Sequence, residues 1–117
     1  MPIIHQSTLQ MSKPIDKVST RFLVSKQDGT ESLTVRELII YPGAVGRLHT
    51  HTTDQVIIVT RGAVQMIAGD EVKTVRSGTT LIAPPGIPHK IINKLWVPAT
   101  LLVIDSTCNL ESNYLED

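Results

Sequence analysis

The 117-residue chain has the length of one ordinary domain, and its 11 basic residues balance 11 acidic ones. This balance gives no positive field for nucleic acid or anionic lipid, and the longest apolar runs, residues 56–59 and 101–104, are far shorter than the ~18 residues of a membrane span. Cys108 has no partner for an internal disulfide, and residues 1–6 lack the apolar core of a signal peptide. We therefore expect a soluble, cytoplasmic protein without nucleic-acid or membrane partners.

The composition predicts an interior built from aliphatic side chains. Hydrophobic residues make up 41% of the chain, but only 3% of residues are aromatic, so Val, Ile and Leu must fill the core. Because β-branched residues favour strands, a β-rich domain is expected. We predict a single domain over residues 1–117, with an N-terminal arm over 1–19 and a polar C-terminal tail over 106–117 that has room for one helical turn.

Short strands are predicted one after another from residue 21 onward, separated by turns rich in Gly and Pro. They cover residues 21–25, 33–41, 56–60, 63–67, 72–75, 79–83, 89–92 and 100–104. Asp28-Gly29 and residues 68–71 are typical of hairpin turns. So many short strands without a long helix predict an antiparallel, all-β sandwich or barrel.

A segment that begins at His49, with the sequence His-Thr-His-Thr-Thr-Asp-Gln, carries most of the chemical information. His49 and His51 would point to the same face of a strand, and Gln55 would share that face if the strand ran straight. His89 follows the rigid Pro-rich turn of residues 83–88, which could direct a later strand back across the first. Three imidazoles and one amide oxygen would give a divalent metal four ligands, with positions left open for water or substrate.

The same residues form two motifs that resemble those of the cupins, which are small double-stranded β-helix (jelly-roll) barrels. The first motif is Gly, five residues, His-x-His, three or four residues, Glu, six residues and Gly; the matching residues are Gly43, His49, His51 and Gly62. Gln55 stands where the family usually has Glu. The second motif is Gly, five residues, Pro-x-Gly, two residues, His, three residues and Asn; it is matched by Gly78, Pro84, Gly86, His89 and Asn93.

The resemblance implies an antiparallel cupin barrel that holds a divalent transition metal (Mn, Fe, Ni, Co or Zn). The ligands it implies are His49, His51, Gln55 and His89. Because a Gln oxygen is neutral, the metal would keep its full charge, bind less tightly and favour anionic ligands. The set looks like that of manganese cupins with hydroxynitrile lyase activity, and three-histidine sites also occur in cupin dioxygenases that cleave diketones.

Three residues near this site allow alternative interpretations. Gln55 could hydrogen-bond a metal-bound water rather than bind the metal directly. Asp54 is a rival carboxylate and a candidate pocket residue, although a bulge would be needed to turn it to the same face as Gln55. Arg36 would be ion-paired or at an edge in most strands, but inside a barrel it could hold a substrate carboxylate with two hydrogen bonds.

The leading hypothesis for function is a metal-dependent enzyme that acts on a small oxygen-bearing or anionic organic substrate by dioxygenation, lyase cleavage or isomerisation. The alternative is a module that binds or senses a small molecule or a metal without turning it over. A weaker option, a sugar-binding cupin, would require a polar cavity. We also expect a homodimer in which residues 2–8 add a strand to a neighbouring subunit.

Overall fold

A computed structural model describes residues 1–116, which form ten β-strands and two 3-10 turns. The strands are β1 (Val18–Val24), β2 (Thr34–Ile40), β3 (His49–Thr50), β4 (Gln55–Arg61), β5 (Ala63–Ala68), β6 (Glu71–Arg76), β7 (Thr79–Ala83), β8 (His89–Ile92), β9 (Ala99–Asp105) and β10 (Asn113–Tyr114). The 3-10 turns are Gln6–Thr8 and Lys26–Asp28. Within the described residues, no helix combines the length and the hydrophobicity that crossing a lipid bilayer requires.

The strands form two five-stranded antiparallel sheets. The first sheet has the order β1-β2-β9-β4-β7, and the second has the order β10-β3-β8-β5-β6. Strands that are neighbours in a sheet are mostly distant in sequence, as when β9 lies between β2 and β4. The antiparallel jelly-roll barrel predicted from the sequence is thus confirmed.

Strands β4 and β9 contribute both to the hydrophobic core and to the end of the barrel where the histidines lie. Inward-facing residues of β9 alternate with partly exposed ones, and Leu101 at 0% exposure lies at the centre. Burying such a side chain contributes roughly 1.5–3 kcal/mol to stability. The inward row continues to Asp105, which pairs across the strands with Gln55. β4 therefore begins, and β9 ends, with a buried polar residue at the same end of the barrel.

A glycine places β3 beside β8, the two strands that carry histidines. The N–H of Gly46 donates a hydrogen bond to the carbonyl oxygen of Ile91 at 2.8 Å. A Cβ at this position would lie 2.9 Å from the same oxygen, so a larger residue would push the loop away from β8. The close approach sets His49 directly opposite His89 in the ladder.

Two predicted terminal features differ in the structure. The strand predicted over 21–25 begins earlier, at Val18, and is preceded by the turn Gln6–Thr8, whose Gln6 carbonyl accepts a hydrogen bond from the guanidinium of Arg21. The helical turn predicted in the tail is wrong for residues 106–116, because Asn113 and Tyr114 pair with β3 as a short strand.

Candidate metal centre

The structure brings together the three histidines that the sequence singled out. His49 lies in β3, His51 directly follows that strand, and His89 begins β8. Their ring centroids are 4.4 Å apart for His49 and His89, 4.7 Å for His49 and His51, and 5.2 Å for His51 and His89. One ring nitrogen from each lies within 4.8 Å of the others. This spacing allows all three to reach a single ion.

Each histidine is oriented by a backbone carbonyl group. The Nδ1 atoms of His49, His51 and His89 lie 2.7, 2.9 and 3.0 Å from the carbonyl oxygens of Arg47, Glu111 and Ile87, respectively. A carbonyl oxygen only accepts, so each Nδ1 carries the proton and donates it. The other nitrogen, Nε2, then keeps its lone pair, which is the arrangement found in metal-binding histidines.

The surroundings of His49 and His89 favour the neutral forms of these two rings. Burial lowers the pKa of His49 and of His89 below that of a free imidazole, and the nearby ring of His51 adds a smaller lowering to each. Both rings are therefore neutral at pH 7. Their Nε2 lone pairs are available without the loss of a proton.

A carboxylate fixes the orientation of the Gln55 amide. Gln55 and Asp105 are 4% and 2% exposed, and the Gln55 Nε2 donates to Asp105 Oδ1 at 2.8 Å. The other oxygen of Asp105 accepts from the Arg36 Nη2 at 3.0 Å. Because a carboxylate can only accept, the amide nitrogen of Gln55 must face it, and the amide oxygen must face the histidines.

This orientation brings two hydrogen-bond acceptors together. Gln55 Oε1 lies 3.1 Å from His89 Nε2, and both atoms present lone pairs that repel each other unless a positive charge lies near both. The His51 Nε2 is also buried, and it has no hydrogen-bond partner among residues 1–116. A distance of about 3 Å is that of neighbouring ligands on one ion with bonds of about 2.2 Å. The donor set therefore fits a divalent transition metal.

The histidines open onto a cavity of about 350 Å³ whose lining combines aliphatic and polar side chains. This volume suits a small organic molecule. The aliphatic lining residues are Val18, Leu38, Ile40, Ala44, Val45, Ile57, Ile91 and Val103. Besides the histidines, Gln55 and Gly46, the lining includes Asp16, Arg36, Arg47, Ser112 and Tyr114.

Of the two candidate pocket residues, the structure places one in the cavity. Arg36 lines it, is ion-paired with Asp105, and has a buried Nε without a hydrogen-bond partner in the described part of the chain. Asp54 is exposed and is not part of the lining; its backbone oxygen accepts hydrogen bonds from Ser106. Strand alternation explains the difference, since Gln55 begins β4 with its side chain facing inward.

Sequence reasoning missed Asp105 and the segment around Tyr114. Asp105 could have been found, because it continues the inward alternation of Ala99, Leu101 and Val103. The two-residue strand β10 has no comparable signal, since its pairing with β3 depends on contacts across the fold.

Comparison with known proteins agrees with this architecture. The profile of the Cupin domain family matches residues 36–105. No curated protein sequence matches the chain.

Three solved structures illustrate the likeness of fold. The polyketide cyclase RemF from Streptomyces resistomycificus has a TM-score of 0.87 at 19% identity, over 98% of this chain and 85% of that one. KdgF from Halomonas sp. has a TM-score of 0.78 at 17% identity, over 91% and 94%. Bacillus subtilis oxalate decarboxylase, a protein with Mn(II) centres, has a TM-score of 0.79 at 21% identity, over 93% of this chain and 31% of that one. Identities this low establish a shared fold and leave the reaction open.

Proposed function

The chain belongs to the cupin family, and we propose that it is a metal-dependent enzyme acting on a small oxygen-bearing or anionic organic substrate. The observation that carries this proposal is the convergence of unprotonated donor atoms, above all Gln55 Oε1 and His89 Nε2 at 3.1 Å. Buried acceptors that face each other are costly without a cation. The proposed ligands are His49, His51, Gln55 and His89.

A divalent transition metal (Mn, Fe, Ni, Co or Zn) at these ligands would supply a Lewis acid. The neutral Gln55 adds no negative charge to the site, so anionic substrate groups are favoured. Arg36 lines the same cavity, with its charge balanced by Asp105 and its Nε–H free of a hydrogen-bond partner in the described part of the chain, and the aliphatic side chains of the wall would pack against the body of the substrate. The proposed reactions are dioxygenation, lyase cleavage or isomerisation.

Two structural neighbours, the polyketide cyclase and the oxalate decarboxylase, are enzymes by name, which supports catalysis on this fold. The alternative is a binding or sensing module. One observation favours it: Asp54, the candidate pocket carboxylate next to Gln55, lies outside the cavity and is not placed to act as a general base there.

The test begins with protein purified without chelators or an affinity tag. Elemental analysis is expected to find about one transition metal ion per chain. The protein loaded with Mn, Fe, Co, Ni or Zn is then assayed against cyanohydrins, diketones and small carboxylates, and turnover is expected with at least one class. A protein that binds no metal would refute the proposal, and one that binds metal without turnover would favour the sensing module.

Arg36 is proposed to orient a carboxylate group of the ligand through its unpaired Nε–H. Charge-assisted hydrogen bonds contribute about 1.5–3 kcal/mol, so Arg36→Lys is expected to weaken binding of butyrate to the Mn-loaded protein by about 10-fold or more. Calorimetry measures this change. The control is Arg21→Lys, because Arg21 is also paired with a carboxylate, Glu37, but lies outside the cavity. Equal butyrate affinities for the two variants would contradict this role.

We further propose a homodimer in the cytoplasm. The strand-adding arm receives little support, because Gln6–Thr8 forms a 3-10 turn against the same chain. An aliphatic row on the outer face of the first sheet offers better support. It runs across four paired strands through Val35, Ile104, Val56 and Ile82, and Ile82 is 70% exposed. Light scattering is expected to give twice the 12.8 kDa chain mass, and a monomer would refute the dimer.

A further inference from the structure

Residues 111–116, called the strap here, form part of the cavity wall beside the histidines. Ser112 and Tyr114 line the cavity, and the Tyr114 ring centroid lies 5.7 Å from that of His49. The guanidinium carbon of Arg47 lies 3.8 Å from the centre of the Tyr114 ring, in cation–π contact with it. The strap thus covers one side of the site through side chains that the two cupin motifs do not include.

The strap also orients one of the proposed ligands. The carbonyl oxygen of Glu111 accepts the hydrogen bond from His51 Nδ1 at 2.9 Å. Without that acceptor, the proton of His51 could occupy either ring nitrogen, and the lone pair would leave Nε2 in part of the population. The position of the strap therefore bears on the tautomer of His51.

A single carboxylate oxygen holds the strap to both histidine strands. Glu116 Oε1 accepts hydrogen bonds from the backbone N–H of Leu48 and from the Lys90 ammonium, each at 2.9 Å. Leu48 directly precedes His49, and Lys90 directly follows His89. The Leu115 N–H adds a bond to the Leu48 carbonyl oxygen at 2.9 Å.

The charge of Glu116 suits this contact, because the hydrogen bond from Lys90 lowers the pKa of the Glu116 carboxyl and keeps it ionised at neutral pH. We propose that Glu116 is a positioning residue of the three-histidine site, which holds the strap across β3 and β8 and thereby keeps the Glu111 carbonyl on His51. The functional importance of this role rests on the metal site proposed above.

The contact is better suited to positioning than to global stability. Exposed ion pairs contribute little to the free energy of unfolding. A two-residue strand held by few hydrogen bonds can open while the rest of a barrel stays folded. Loss of the Glu116 side chain should therefore loosen the strap, which keeps its pairing with β3 and its Leu115–Leu48 hydrogen bond, and leave the core intact.

The experiment compares Glu116→Ala with Glu71→Ala. Glu71 is a matched control, because it forms an exposed pair with Lys73 at 3.0 Å and does not line the cavity. In metal-free Glu116→Ala, we expect amide hydrogen exchange in the strap to become about 10-fold faster or more, and the ¹⁵N shifts of the His51 ring to show a mixture of tautomers. Mn²⁺ affinity is expected to fall by about 10-fold. Glu71→Ala is expected to change none of these quantities.

Two further variants separate positioning from damage to the fold. Glu116→Gln keeps a carbonyl acceptor for the Leu48 N–H and is expected to restore part of the His51 signature. Lys90→Met removes the ammonium without altering the sequence of the strap and is expected to give an intermediate effect. It replaces Glu116→Ala in the comparison if that variant is too unstable to study.

Unchanged strap exchange in Glu116→Ala would overturn the proposal, and so would faster exchange with an unchanged His51 tautomer. If the wild-type protein binds none of Mn²⁺, Fe²⁺, Co²⁺, Ni²⁺ and Zn²⁺ but the tautomer responds as expected, the metal-dependent function fails and the positioning role of Glu116 stands.

Discussion

Replacing His89 with alanine is expected to abolish tight metal binding while the barrel remains folded. His89 is 3% exposed, and its Nε2 lies between the other imidazoles and the amide oxygen of Gln55. The substitution removes one of the four proposed donors, and the other three then surround the space that the His89 ring occupied. Mn²⁺ affinity, measured by equilibrium dialysis with elemental analysis, should therefore fall by more than about 100-fold. This exceeds the loss of about 10- to 100-fold that is typical when a residue that only supports a metal ligand is replaced.

Metal-dependent thermal stabilisation should disappear in the same variant. A ligand at 100 times its dissociation constant stabilises the folded state by about 2.7 kcal/mol, and this gain is lost when binding is lost. His5→Ala is the matched control, because His5 is exposed and lies outside the cluster. If Mn²⁺ raised the melting temperature of His89→Ala as much as that of His5→Ala, the three-histidine site would not be the metal site.

The sequence was informative where local rules determine geometry. The spacing of His49 and His51 places their rings on one face, and the Pro-rich turn returns the chain at His89, so their meeting could be predicted from alternation and turn chemistry. The identity of the residue that orients Gln55 was harder to predict. Asp105 lies 50 residues further along the chain, and only the pairing of β4 with β9 brings the two together.

The conformation of the strap could not be predicted from the sequence. Asn113 and Tyr114 have no periodic pattern around them, and two residues are too few to specify a strand by propensity. Their conformation depends on tertiary contacts, chiefly the hydrogen bonds of Leu115 and Glu116 to Leu48. The polar composition that suggested a solvated tail is the same composition that provides these hydrogen bonds.

Asp105→Asn is the second substitution with a large expected effect, because Asp105 serves two donors at once. Its Oδ1 accepts from Gln55 Nε2 and its Oδ2 accepts from Arg36 Nη2, at 2.8 and 3.0 Å. An asparagine has one oxygen and one amino group. Whichever way the side chain turns, its amino group faces either the amide nitrogen of Gln55 or the guanidinium of Arg36, so one contact becomes repulsive.

Each orientation has a measurable consequence. Asparagine is neutral, so the Arg36 guanidinium, which is 21% exposed, loses its counter-ion in both orientations. If the amino group faces Arg36, the guanidinium also loses its hydrogen-bond acceptor, which should cost about 2 kcal/mol of unfolding free energy and lower the melting temperature by roughly 10 °C. If it faces Gln55, the glutamine amide is expected to rotate and turn its oxygen away from His89. Mn²⁺ affinity should then fall by about 10- to 100-fold.

Glu37→Gln is the control for this substitution, since Glu37 forms the other arginine–carboxylate pair of the first sheet, with Arg21, and both side chains are about 20% exposed. Its loss should cost less than about 1 kcal/mol and leave Mn²⁺ affinity unchanged. An Asp105→Asn protein that matched Glu37→Gln in both melting temperature and Mn²⁺ affinity would show that Asp105 does not determine the orientation of Gln55. The histidines alone would then determine the orientation of the Gln55 amide oxygen.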